Sequence, residues 1–406
     1  MPGIERLSSV PASSMSFDLS RARGETPGCQ TVLHFNNAGA GLMPQPVRDA
    51  VIKHLKLEAE IGAYEAEARS HDAVEHVYDA IAALIGCSRD EVAVVENATR
   101  AWDMAFYSLP LGPGDRILTA EAEYASNYIA YLQVARRTGA RVEVVPDDEH
   151  GQISIDALRN AIDDKVKLIS ITHVPTNGGL VNPAAEVGKV ARESGVLFLL
   201  DACQSVGQLP INIDEIGCDM LSATGRKYLR GPRGTGFLFV RKSLISRLEP
   251  VLLDLHAADW VSRDEYVIRP DARRFENWEG NIAGKIGLGV AIDYAMEWGL
   301  KNIWTRISDL ASTLRAGLRA IPGLTVRDRG AQQCGIVSFT AEGREPEEIR
   351  RELSAEKINV WTSPLHFTRL DMSRRGLGSV VRASVHYYNS EQEVERFCEV
   401  LARLLG

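Results

Sequence analysis

Between about Val47 and Phe239, short apolar runs alternate with stretches of helical periodicity: EVAVV, DRILTA, RVEVVP, VKLISITHV, GVLFLLDA, CDMLSAT and TGFLFV. This alternation predicts βαβ units and an α/β fold, with a mostly parallel seven-stranded sheet flanked by helices. Strands covered on both faces need no polar alternation, and LISITHV and VLFLLDA show almost none. From about Arg273 the texture changes to one long helical stretch, Ile282 to Ala320, followed by the strand candidates TVRD, CGIVSFT, INVW and VVRASVHYY. A terminal helix from Ser390 to Leu405 completes what reads as a smaller α+β domain. The expected organisation is a loose tail over 1–30, a large domain over 31–272 and a small C-terminal domain over 273–406.

Composition narrows the class. Hydrophobic residues make up 45% and charged residues 25% of the 406, the balance of a soluble globular chain. The net charge of -8, with Lys and Arg dispersed, offers no basic stripe for nucleic acid. No apolar run approaches the roughly 18 residues that cross a bilayer, and the opening MPGIERLSSVPASSMSFDLSRARGETPG lacks an apolar signal core. The expectation is a cytoplasmic protein without membrane or nucleic-acid partners. The six cysteines (Cys29, Cys87, Cys203, Cys218, Cys334, Cys398) form no CxxC pair, so neither a metal site nor a disulfide scaffold is signalled, and most read as small core residues.

Three features carry chemistry. In SATGRKYLRGPRGTGFLFV, a strand candidate runs into a Gly-rich turn bearing Lys227, which alone would read as a solvated lysine. Upstream, the apolar strand VLFLL ends in Asp201, followed by Ala202, Cys203 and Gln204. A carboxylate at the carboxyl end of a parallel strand points into the ligand crevice, although it also suits a helix cap. Further upstream, EVAVV leads through Glu96, Asn97, Ala98 and Thr99 into a helix expected near Arg100; such a terminus binds phosphate, and Thr99 equally suits an N-cap. An amine, a carboxylate and an anion site are what pyridoxal 5'-phosphate (PLP) requires: a Schiff-base partner, a counter-charge for the ring nitrogen and a phosphate cradle.

With these residues in place, the chain from about His34 to its C-terminus resembles the class V aminotransferase and cysteine desulfurase family of fold type I PLP enzymes. DACQ followed by TGRKYLRGPRGTGFLFV carries the match. The resemblance implies a Schiff base on Lys227, Asp201 on the pyridine nitrogen, and Gln204 near the phenolic oxygen. It implies Thr99, Thr224 and the backbone at Ala98 around the phosphate. Tyr124, in TAEAEYASNY, falls where the family stacks an aromatic ring or His on the cofactor, and Asn177, in THVPTNGGLVNP, where an asparagine approaches the cofactor oxygen or the substrate. His173 beside it reads as a core histidine. In VVRASVHYYNSEQEVERF, Arg382 matches the arginine that grips a substrate carboxylate, a task suited to a bidentate guanidinium; a surface ion pair is the plainer alternative. RRFENWEGNIAGKIGLG resembles the stretch that reaches a partner subunit's phosphate site, which implies a homodimer. Glu279 replaces the usual threonine there, leaving Asn281 or the backbone NH groups of Gly280 and Asn281 for that contact.

Departures from the family pattern bear on the reaction. A desulfurase needs a mobile thiol, yet NVWTSPLHFTRLDMSRRG contains no cysteine, with His366 about where the thiol would stand. Arg226 replaces the histidine before the lysine and cannot shuttle protons, so Lys227 carries most of the transfers. Within the family, TGRKYLRGPRG and the upstream EAEIGAYEAEA resemble the isopenicillin-type epimerases and the carbon-sulfur lyases of ergothioneine biosynthesis, which implies removal of the Cα proton from a cofactor-bound amino acid; β-elimination at a carbon-sulfur bond is favoured because it needs no thiol. Epimerisation, as in isopenicillin-type epimerases, and transamination share the first step. A protein that binds the cofactor without turnover is the reading from another class. Tyr64, Arg69, Arg100 and His366 are candidate substrate readers, each equally suited to an ordinary surface or helix position.

Overall fold

The computed structural model describes residues 17–406. The seven apolar runs form one seven-stranded sheet in the order Val92–Val95, Gly236–Val240, Met220–Thr224, Leu197–Asp201, Val166–Thr172, Arg116–Ala120, Arg141–Val145. Four pairings are parallel, and Gly236–Val240 runs antiparallel to both its neighbours. Met220–Thr224 and Gly236–Val240 are buried along their whole length, which accounts for their unbroken apolar character. A second sheet, wholly antiparallel, follows the order Leu324–Val326, Ile336–Ala341, Ser379–Ser384, Trp361–Pro364.

The single helix expected from Ile282 to Ala320 is two, Ile282–Trp298 and Leu300–Arg319. They break at Gly299, whose φ of +79° lies where a side chain is strained. INVW is likewise divided: Ile358–Asn359 pairs with Leu33–His34, whereas Trp361–Pro364 joins the second sheet. Two stretches cross the division expected near residue 273. Ile282–Trp298 packs against Gln45–Ile61 and His71–Ile85 of the large body, and Phe35 accepts a 2.7 Å bond from Ser384 N. The change of texture marks a change of secondary structure rather than a clean split. The terminal helix spans Glu391–Leu405, with Ser390 and Glu393 forming a capping box.

The reading of 1–30 as a loose tail needs correction over its described part; residues 1–16 lie outside the described residues. Leu19–Gly24 is helical, Phe17 stacks on Trp298 at 4.9 Å, and Arg23 pairs with Glu393 at 2.8 Å. Thr26 is fully buried and accepts from Arg230. Each partner lies far along the chain, so local composition gave no sign of the docking.

Candidate active site

The carboxyl ends of the central strands and the loops beyond them enclose a cavity of about 540 Å³ lined by Ala98, Thr99, Tyr124, Asp201, Cys203, Gln204, Arg226 and Lys227, among others. Residues more than a hundred positions apart meet there because parallel strands all end on one side of the sheet. Gly207, at φ +91°, lets the turn after Asp201 reach the lysine turn: a Cβ there would lie 2.5 Å from the Tyr228 carbonyl carbon.

Lys227 is half-buried, and its Nζ lies 3.4 Å from Cys203 Sγ. Burial lowers its proton affinity, Arg226 and Arg382 add to the effect, and Cys203 and Asp201 oppose it. Asp201 is buried; Oδ1 accepts from Cys203 N at 2.9 Å and Oδ2 from Asn127 Nδ2 at 3.0 Å. It caps no α-helix, and burial raises its pKa. Cys203 is a cavity residue rather than core, since its neighbours hold it against the amine.

The anion end differs in one detail from expectation. The helix starts at Ala98, two residues before Arg100, and Asn97 is its cap, accepting from Arg100 N at 2.9 Å. Thr99 is thereby released from capping and lines the cavity. Arg226 lines the cavity and donates through Nη1 to Thr224 Oγ1 at 3.1 Å, while Thr224, buried behind it, is absent from the lining. Gln204 donates through Nε2 to Ala38 O at 3.0 Å, while its buried Oε1 has no partner among the described residues.

Other expected site residues fall around this centre. Arg382 is buried, donates to Thr176 Oγ1, and keeps a buried Nε without a partner. No carboxylate among the described residues pairs with it, so the surface ion-pair alternative fails. Burial lowers its pKa to about 10, which leaves it a cation near neutrality. Asn177 is buried beside the cavity, donating to Thr368 Oγ1 at 2.9 Å, with Oδ1 unpartnered. His173 is buried with burial lowering its pKa to about 4, in keeping with a neutral core histidine.

Five expected site residues are not brought to this cavity within one chain. His366 sits exposed on the Leu365–Phe367 turn against Phe367, away from the cavity wall, because that turn faces outward. Tyr64, 69% exposed, and Asn281 line a neighbouring cavity of about 520 Å³ instead, where Asn281 caps Ile282–Trp298 and is held by Gly284 N at 2.8 Å. Arg69 is exposed on its helix and lines neither cavity, and Arg100 is absent from both linings. Glu123, Asn127 and Thr176 also support the site although no motif marks them; the one signal in the sequence is the glutamate directly before Tyr124, two residues after Glu121.

The aminotransferase class-V family profile matches residues 33–397. The chain belongs to the class V aminotransferase family. A probable cysteine desulfurase of Xylella fastidiosa is 31% identical over 413 residues, covering 99% of both chains. Among solved structures, the apo cysteine desulfurase of Thermococcus onnurineus superposes with a TM-score of 0.89 at 27% identity, covering 97% of this chain and 99% of that one. The cystine C-S lyase C-DES, in complex with its product cysteine persulfide, gives 0.84 at 23% identity over 93% and 99%, a likeness of fold. This class V chain is a PLP-dependent enzyme of α/β fold. The cavity fits the cofactor: a helix N-terminus with Thr99 and Arg226 suits the phosphate, Asp201 the ring nitrogen, and the unpartnered Gln204 Oε1 marks a place for a polar ligand atom. No described helix is long and apolar enough to cross a membrane.

Proposed function

We propose that this enzyme removes the α-proton of an amino acid and expels a sulfur substituent from its β-carbon, acting on a cysteine conjugate or its sulfoxide. One observation carries the choice of branch: the segment Asn359–Gly376, where a desulfurase would carry its thiol, offers Thr, Ser and His but no cysteine.

Bound PLP supplies an electron sink next to the substrate's α-carbon. Asp201 would partner the ring nitrogen, Tyr124 and Cys203 bound the cavity, and Thr99, Thr224, Arg226 and the Ala98 amide would hold the phosphate. Lys227 would hold the cofactor through its amine and, when free of it, would take the α-proton on Nζ; its lowered proton affinity keeps the amine competent as a base. Arg382, buried without a counter-ion, binds the α-carboxylate through the guanidinium edge that holds its free Nε. Loss of the α-proton together with the β-substituent, which would leave as thiolate or sulfenate, would give an enamine whose hydrolysis yields pyruvate and ammonia.

The test is incubation with cysteine S-conjugates. Stoichiometric pyruvate, ammonia and thiol support the lyase. Alanine with a protein-bound persulfide from free cysteine would replace it by desulfuration, the activity named for the relatives. Loss of α-deuterium without net conversion would indicate epimerisation, and amino transfer to an added 2-oxo acid transamination. A protein that never absorbs as a Schiff base, with Lys227→Ala unchanged in spectrum, would leave binding without turnover. We also propose a cytoplasmic homodimer, in which the second cavity, with Tyr64, Glu279 and Asn281 on its wall, meets the partner's site.

A further inference from the structure

Behind Asp201 lies a second buried carboxylate that the proposed chemistry does not use. Glu123 follows the strand Arg116–Ala120 and is 3% exposed. Its Oε1 accepts from Thr172 Oγ1 at 2.5 Å, Tyr124 N at 2.7 Å and Asn127 Nδ2 at 2.9 Å. Its Oε2 faces the hydroxyls of Thr119 at 3.0 Å and Tyr131 at 3.4 Å. Asn127 Nδ2 donates to Asp201 Oδ2 as well, so one amide clamps the two carboxylates.

We infer that Glu123 is a positioning residue that acts through Asn127 on Asp201, its charge setting how tightly the cofactor's ring nitrogen holds its proton. This rests on Asp201 as the partner of that nitrogen, the reading given above. The geometry makes Glu123 switchable. The donors at Oε1 are, apart from Thr172, N–H groups that cannot reverse, so that oxygen is always an acceptor. Both partners of Oε2 are hydroxyls, and Tyr131 has Ser170 Oγ at 2.8 Å as an alternative acceptor. A proton on Oε2 therefore needs only hydroxyl rotation to be accommodated.

The surroundings favour a change of charge near neutrality. Burial, reinforced by the charge of Asp201, raises Glu123 to about 7. The charged and titratable groups around the pair are Asp201 and Cys203 after Leu197–Asp201, Tyr124 and Tyr131 at and within Ala125–Thr138, and Lys227 beyond Asp201. The strands Arg116–Ala120 and Val166–Thr172 contribute only the hydroxyls of Thr119, Ser170 and Thr172. Lys227 is the cation facing Asp201. Ionised Glu123 places a negative charge behind Asp201 in a poorly screened interior, which strengthens the pull of Asp201 on the ring-nitrogen proton; protonation of Glu123 weakens it.

The measurement is the 15N shift of the ring nitrogen in holoenzyme reconstituted with 15N-labelled PLP, followed from pH 6 to 10. Glu123→Gln keeps the Oε1 acceptor, and its new NH2 meets hydroxyls that can turn to accept. Its ring nitrogen should lose the proton at a pH lower by roughly one unit, a tenfold fall in proton affinity. Thr172→Val provides a second arm if Glu123→Gln does not fold: with one donor to Glu123 removed, the wild-type inflection near neutrality moves upward. Titrations of Glu123→Gln or Thr172→Val that superpose on the wild type would overturn the inference. Asp201→Asn separates the two levels, because a ring nitrogen indifferent to that substitution refutes the assignment of Asp201 itself.

Discussion

Lys227 and Arg382 are both cations held where water is scarce, and their consequences differ because one titrates and the other does not. A lysine with lowered proton affinity is a neutral base over a wider range of pH. Arg226 contributes to that lowering, so Arg226→Gln should raise the acidic limb of kcat/KM by about half a pH unit, measured with a saturated cofactor site. Arg382 has hydroxyl and amide oxygens as partners and an unused Nε. Arg382→Ala should raise KM for the amino acid about a hundredfold, with a smaller fall in kcat, because the proposed carboxylate contact would be made before and during reaction. Glu123 also leaves a mark on stability. Its pKa is raised on folding, so its contribution declines as pH rises from the ordinary carboxyl range to about 7. Urea unfolding should show Glu123→Gln gaining on the wild type across that window, by roughly 3 kcal/mol at pH 8, and matching it near pH 4.

Among the elements, those that carry the site were the most legible. The central strands Leu197–Asp201 and Met220–Thr224 are largely apolar runs closed by polar or turn residues, so Asp201 and Thr224 can be placed at strand ends from the chain alone, whereas the edge strand Arg141–Val145 alternates polar and apolar positions. Helix starts were less legible, since Asn97 and Thr99 are both acceptable caps and the cavity decides between them. The break at Gly299 was overlooked because helical periodicity runs on through it. Leu300–Arg319 owes its position to Arg315, which is buried, pairs with Asp328 at 2.7 Å, and donates to the carbonyls of Cys334 and Ile336 at 2.7 and 2.9 Å. Arg315→Ala should cost about 3–5 kcal/mol in chemical unfolding, because it strands Asp328 and two buried carbonyls.

At the level of the whole molecule, Arg230 joins three distant parts of the chain. It is fully buried at φ 61° and bonds Thr26, the Leu42 carbonyl and the Tyr387 hydroxyl, three residues beyond Lys227. Deletion of residues 1–30 should therefore cost about 3 kcal/mol of stability and loosen cofactor binding, measured by thermal melts with and without PLP. By itself the sequence determined the strand order in the chain, the mostly parallel large sheet and the smaller α+β part, and the lysine, carboxylate and helix terminus proposed to hold the cofactor, because each is written in local periodicity or in residues spaced along a few strand ends. The tertiary structure alone decided that residues 17–30 dock, that His366 faces outward, that Cys203 meets Lys227, and that Glu123 reaches Asp201 through one amide. These are contacts between side chains brought together by strand pairing and packing, and no local pattern specifies which distant groups will share a buried space.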